Sequence, residues 1–133
     1  MFAVTREFHF CYGHRLLNYN GKCAHPHGHN GRVEITLESE TLDAQGMVLD
    51  FTELKHLVGG WIDENLDHKM VLAEEDPLVP MLAEMNEPMY LMQCPPTAEN
   101  FAKLIFDLVK GRGYPVCKVI FWETDKCAAT YRG

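Results

Sequence analysis

Two stretches of strict two-residue alternation constrain this chain more than any other feature. In residues 2–10, Phe2, Val4, Arg6, Phe8 and Phe10 alternate with Ala3, Thr5, Glu7 and His9; in residues 31–39, Val33, Ile35 and Leu37 alternate with Arg32, Glu34, Thr36 and Glu38. Successive side chains of an extended chain point to opposite faces, so both segments are expected as strands of an antiparallel sheet with one apolar and one wet face. Between them lies a long polar stretch through Asn18, Asn20 and Gly21 that contains most of the histidines. It is expected as a loop, the kind of segment that carries functional groups over a rigid sheet.

From Phe51 the period changes. Leu54, Leu57, Val58, Trp61 and Ile62 recur at spacings of three and four, which predicts an amphipathic helix, weakened at Gly59-Gly60. A second helix is expected after Pro95-Pro96, with Thr97 as its cap, Glu99 in its positive first turn, and Phe101, Leu104, Ile105, Leu108 and Val109 as its apolar face. Gly111 and Gly113 end it, and Val116 to Thr124 and Ala128 to Arg132 read as strands. The order is β-β-α-α-β-β, an α+β pattern. Residues Glu74 to Cys94, rich in Met, Pro and acid, show no sustained period and are expected as a loop with at most a helical turn.

The 133 residues suit one domain, 1–133, able to bury a core without disulfides. No apolar run approaches the roughly 20 residues of a membrane span, and the N-terminus enters strand-like alternation directly, so a soluble, cytoplasmic protein is expected. Five cysteines without a CxxC pair fit free thiols in a reducing compartment. A net charge of −7 argues against a nucleic-acid partner. No glycine-rich phosphate loop of the GxGxxG or GxxxxGK kind is present, which removes the common nucleotide-binding readings.

Of seven histidines, five (His9, His14, His25, His27 and His29) fall within residues 9–29. In His27-Gly28-His29 the spacing puts both imidazoles on one side of an extended chain. His14 could add a third nitrogen, giving a zinc site with an open fourth position, the arrangement of catalytic zinc. An isolated HxH pair is common and proves little by itself, since two polar loop residues also produce it. Cys23, four residues before His27, and Asp67-His68 tip the balance, because thiol, imidazole and carboxylate together form an acid/base set.

Six blocks in order then resemble one family, the 6-pyruvoyl- and 6-carboxy-tetrahydropterin synthases. They are FxxxHRLL at Phe10–Leu17, CxxxHGHN at Cys23–Asn30, GMVLDF at Gly46–Phe51, LDH at Leu66–His68, PTAEN at Pro96–Asn100, and Trp122-Glu123-Thr124. The resemblance implies zinc on His14, His27 and His29, Cys23 as general base, and Asp67 with His68 as its partner dyad. It implies Glu123 as the pterin anchor, with Thr97 and Glu99 lining the pocket. It also implies the T-fold, an antiparallel sheet with two helices on one face, assembling as a homo-oligomer (trimers pairing into hexamers) with active sites between subunits. The implied substrate is 7,8-dihydroneopterin triphosphate, and the short CxxxHGH spacing resembles the 6-carboxy branch, which leads toward 7-deazaguanine compounds such as queuosine. The rivals are the 6-pyruvoyl reaction, an aldolase-type reaction, and a non-catalytic zinc- or pterin-binding homologue. Two features depart from the family's text. Where small residues, often Ala-Ala, precede the first ligand, this chain has Cys11-Tyr12-Gly13, expected to put a second thiol near the metal; and His25 is surplus, sharing the parity of His27 and His29.

Overall fold

A computed structural model describes residues 1–133. The chain forms β1 (Phe2–His14), β2 (His27–Ser39), α1 (Phe51–Leu54), a wide π turn (Lys55–Gly59), α2 (Gly60–Asn65), β3 (Lys69–Ala73), α3 (Leu78–Glu84), β4 (Met89–Met92), α4 (Ala98–Gly111), β5 (Val116–Thr124) and β6 (Cys127–Tyr131). One six-stranded sheet has the order β4-β3-β1-β2-β5-β6.

The expected antiparallel sheet is its centre and one flank: β1 with β2, β2 with β5, and β5 with β6 are all antiparallel. In the β1/β2 register Phe8 faces Val33 and Val4 faces Leu37, so the even residues of β1 and the odd residues of β2 share a face. Val119 and Phe121 of β5 join it, opposite Ile35 and Val33. The helices cover this face, contributing Leu54, Val58, Ile62, Phe101, Ile105 and Val109 to the core. Phe101 and Phe121 lie stacked at its centre, their ring centroids 4.7 Å apart. The opposite face is wet. There Arg32 reaches Glu7 and Glu34 and lies over the Trp122 ring, whose N–H donates to Glu34 at 3.0 Å.

Residues 74–94 depart from the expected loop: they form α3 and β4, and a further strand the expected order lacked, β3, precedes them, so that the sheet gains two parallel pairings, β3 beside β1 and β4 beside β3. Val71, Leu72 and Ala73 are all buried, because a parallel strand covered on both faces is a continuous apolar run without alternation. Asp76 anchors the entry to α3: it is 2% exposed, pairs with the Arg15 guanidinium (Nε to Oδ2 2.9 Å), and accepts from the Leu78 N–H. The Arg15 contact holds its carboxyl below the usual carboxylate range.

The two glycines do not break the first helix. It passes through them as the π turn, and a Cβ on Gly59 would come within 3.2 Å of the Phe8 ring, so glycine there lets the turn close onto β1. The second helix runs as expected. Thr97 Oγ1 accepts from the Asn100 N–H at 3.3 Å, and Gly113 takes the left-handed conformation beyond its end. No helix is long and apolar enough to cross a membrane.

Candidate metal centre and active site

The strands are longer toward the histidines than the alternation alone indicates. β1 continues to His14 and β2 begins at His27, so the loop is reduced to the residues between them. Opposite His27 in the register stands His14, and opposite His29 stands Tyr12. All four point to the helix-covered face at the end of the core, where period two also delivers Glu123, two residues beyond Phe121.

The three imidazoles converge. Nε2 of His14 lies 3.1 Å from Nε2 of His27, and one ring nitrogen from each of His14, His27 and His29 falls within a common 4.8 Å. Two of the rings are steered from behind by backbone carbonyls: His14 Nδ1 is 2.7 Å from Pro96 O, and His27 Nδ1 is 2.7 Å from His25 O. Only an N–H can donate to a carbonyl, so both Nε2 atoms present lone pairs to the shared centre. Bonds of about 2.0 Å in a tetrahedral zinc site put nitrogen donors roughly 3.3 Å apart. The donor set and its spacing therefore fit zinc. Burial pushes the His14 imidazole down to about 4 and also lowers His29, which keeps these rings neutral as ligands.

Glu123 stands beside this centre, its Oε1 3.8 Å from His14 Nε2. It lines a cleft of about 310 Å³ with Leu16, Thr97 and Glu99. Glu123, Thr97 and Glu99 are thus brought together, although the cap at Asn100 also accounts for Thr97.

Asp67 and His68 lie elsewhere. They follow α2 and are fixed by the backbone of Cys11, whose N–H donates to Asp67 Oδ1 (3.1 Å) and whose carbonyl accepts from the His68 N–H (2.7 Å). His68 adopts a left-handed backbone, φ 59°, and its Nδ1 is 3.0 Å from Asp67 Oδ2. Cys11 corrects an expectation. An odd residue of β1, it faces away from His14, and its thiol meets His68 (3.3 Å to Nδ1) and not the three-imidazole centre. The signal was available, since residues three apart on a strand point to opposite faces. His25 is corrected too: it lies before β2 begins and is exposed, and its contribution is the carbonyl behind His27.

Cys23 sits half-buried in a short turn, Lys22–Ala24, whose position is held by the Leu16 N–H donating to the Cys23 carbonyl at 2.8 Å. Within one chain it belongs to neither cluster of candidate ligands. All five cysteines are free. Tyr12, which no ligand-like spacing marks in the sequence, packs against His14 and His29 and has a buried hydroxyl without a partner.

The sheet and its helix-covered face place the molecule among the T-fold proteins. An uncharacterized protein from Wolinella succinogenes has the same fold over 99% of this chain and 98% of its own, with a TM-score of 0.86 and 29% identity. The 6-pyruvoyl tetrahydropterin synthase of Caenorhabditis elegans matches at a TM-score of 0.74 and 26% identity, over 99% of this chain and 95% of its own. Residues 3–133 match the 6-pyruvoyl tetrahydropterin synthase family, to which the chain belongs. A 6-carboxy-5,6,7,8-tetrahydropterin synthase of Rickettsia bellii is 34% identical over 134 residues, covering 96% of this chain and 97% of the relative.

Proposed function

We propose that this chain is a zinc-dependent 6-carboxy-5,6,7,8-tetrahydropterin synthase that converts 7,8-dihydroneopterin triphosphate and water to the 6-carboxy product, triphosphate and acetaldehyde. The observation that carries the proposal is the convergence of His14, His27 and His29 beside Glu123, next to the Thr97–Glu99 cleft. The short spacing from Cys23 to His27 and the name of the Rickettsia relative support the 6-carboxy product.

His14, His27 and His29 would hold the metal, and zinc bound there supplies a Lewis acid that polarises oxygens of the substrate side chain. Glu123 accepts two parallel hydrogen bonds from the pterin ring nitrogen and its exocyclic amine, which fixes the ring. Cys23, as thiolate, takes the proton from the side-chain carbon next to the polarised oxygen. His68 returns or accepts protons at the side chain, its Nδ1 oriented by Asp67 at 3.0 Å.

Cys23 and the Asp67–His68 dyad do not meet within one chain, which supports a homo-oligomer whose sites lie between subunits. β3 covers β1 only at Tyr12–His14, so the outer edge of β1 from Phe2 to Cys11 has no strand beside it, and β6 ends the sheet on the other side. Such edges pair with further strands. A trimer or hexamer closing these edges, working in the cytoplasm on the route to 7-deazaguanine compounds such as queuosine, completes the proposal.

Incubating the zinc-loaded protein with 7,8-dihydroneopterin triphosphate and identifying products by mass spectrometry tests it. The 6-carboxy product with acetaldehyde is expected. A 6-pyruvoyl product would move the chain to the reaction named for the Caenorhabditis neighbour. Pterin binding without turnover would make it a binding homologue.

A further inference from the structure

His14 and His27 each have a backbone carbonyl behind the ring, 2.7 Å from Nδ1, whereas His29 has none. The aromatic ring that stands against His29 from outside the trio is Tyr12, its partner across the β1/β2 register. We propose that Tyr12 is a positioning residue of the metal centre: its ring, and not its hydroxyl, holds His29 and one side of His14 in the arrangement that binds zinc. This rests on the zinc reading above and adds to it a residue from the Cys11-Tyr12-Gly13 segment, which departs from the family's text.

One side chain touches two of the three ligands. The Tyr12 ring centroid lies 5.7 Å from that of His29, the planes tilted by 44°, and 5.2 Å from that of His14, which it meets edge-on at 77°. Both are favoured contacts between aromatic rings. Tyr12 is itself locked. It is 3% exposed and packs against Phe10, Phe101 and Phe121, with centroids 5.5, 4.8 and 5.8 Å away. These rings belong to β1, α4 and β5, so the close-packed core fixes the tyrosine and the tyrosine limits the rotation of the imidazoles. Room for it comes from β2: a Cβ on Gly31 would come within 3.1 Å of Tyr12 Cε1 and 3.2 Å of the Phe121 ring.

The hydroxyl does not share this work. It is buried without a partner, which costs free energy that a phenylalanine would not incur. The ring's contribution is preorganisation. An imidazole already held in its binding rotamer loses less side-chain freedom when the metal arrives, and groups that orient a ligand from behind set metal affinity by about tenfold or more. For His14 and His27 a carbonyl does this; for His29 the packed ring of Tyr12 takes that place.

The test measures zinc affinity by competition with a chromophoric chelator, and coordination geometry by the visible spectrum of the Co²⁺-substituted protein; neither needs substrate. Tyr12→Leu and Tyr12→Met, which keep an apolar side chain in the core, should retain the sheet by circular dichroism. They should bind zinc about tenfold or more weakly and shift the Co²⁺ spectrum from the wild-type pattern. Tyr12→Phe should keep wild-type affinity and spectrum, with a Tm no lower than wild type. A residue that only fills the core would lower Tm and leave zinc affinity and spectrum unchanged. Wild-type affinity and spectrum in the folded Leu and Met variants, or a Phe variant as weak as Leu, would overturn the proposal. Loss of the sheet in both the Leu and Met variants would also overturn it, by making Tyr12 a packing residue. A wild-type protein that takes neither zinc nor Co²⁺ would overturn the zinc reading as well, whereas equal affinities overturn this inference alone.

Discussion

Oε1 of Glu123 lies 3.8 Å from Nε2 of His14, although 109 residues separate them along the chain. This contact joins the end of β5 to the end of β1, placing a carboxylate beside the candidate metal and at the mouth of the Thr97–Glu99 cleft. The anchoring role is therefore testable apart from the metal. Glu123→Gln presents one acceptor and one donor group where the pterin needs two acceptors, so KM should rise by about tenfold or more while zinc content stays unchanged. Steady-state kinetics with metal analysis decides it. An unchanged KM removes Glu123 from the pocket.

Zinc content should be about one per chain when no excess is supplied, and should fall to near zero in His27→Ala or His29→Ala. His25→Ala should keep it, because His25 contributes a backbone carbonyl to His27, which alanine also has. Elemental analysis of the purified variants gives the answer. Loss of zinc in His25→Ala with retention in His14→Ala would reverse the ligand assignment.

Cys23→Ala should fold and retain zinc, yet lose turnover by about two to four orders of magnitude, the share of a positioned acid/base group. Since Cys23 and His68 do not meet within one chain, mixing Cys23→Ala and His68→Ala subunits after gentle dissociation should restore part of the activity. Both inactive parents and an active mixture, measured by product formation, are the expected pattern. A mixture as inactive as its parents would place both groups in one subunit's site or remove one of them from the chemistry.

His14 gives the metal-free protein a pH-dependent stability. Burial holds its imidazole at about 4 in the native state, whereas the unfolded chain titrates near its ordinary value of about 6.5. The stability is complete above about 6.5 and is lost as pH falls toward 4, because the unfolded state takes up the proton first. Thermal unfolding of the chelator-treated protein should show Tm falling over this range, and His14→Gln should flatten that limb. An equal slope in both proteins would mean that His14 is reached by solvent.

Asp76 acts at lower pH. Its carboxyl is held below the usual range by Arg15, so its contribution is present above about 3.9, the unfolded value, and lost as pH falls through the lower native value. Asp76→Asn should cost about 2 kcal/mol, the scale of a hydrogen bond to a charged group. Denaturant unfolding at neutral pH measures this. A difference under about 0.5 kcal/mol would make the Arg15 pair a surface contact in energetic terms.

Much of this architecture is legible in local patterns. Period two identifies β1 and β2 and sorts Val33, Ile35 and Leu37 from Arg32, Glu34 and Glu38; the spacing of Phe101, Ile105 and Val109 identifies α4, and Thr97 marks its start. The same parity puts His27 and His29 on one face and could have put Cys11 on the other. These are short-range properties, carried by the few residues that share one turn or one pleat. Nonlocal relationships needed the tertiary structure. The register of β1 against β2 sets His14 opposite His27, and the approach of α4 brings the Pro96 carbonyl behind His14. The parallel strand β3 carries no alternation, because Val71, Leu72 and Ala73 are covered on both sides, β4 is too short to show a period, and only the crossover through α1 and α2 lays Asp67 and His68 against the backbone of Cys11. A sequence pattern records which face a side chain takes within its own element. Which other element meets that face is decided by the burial of the whole core, where residues distant in the chain compete for the same neighbours.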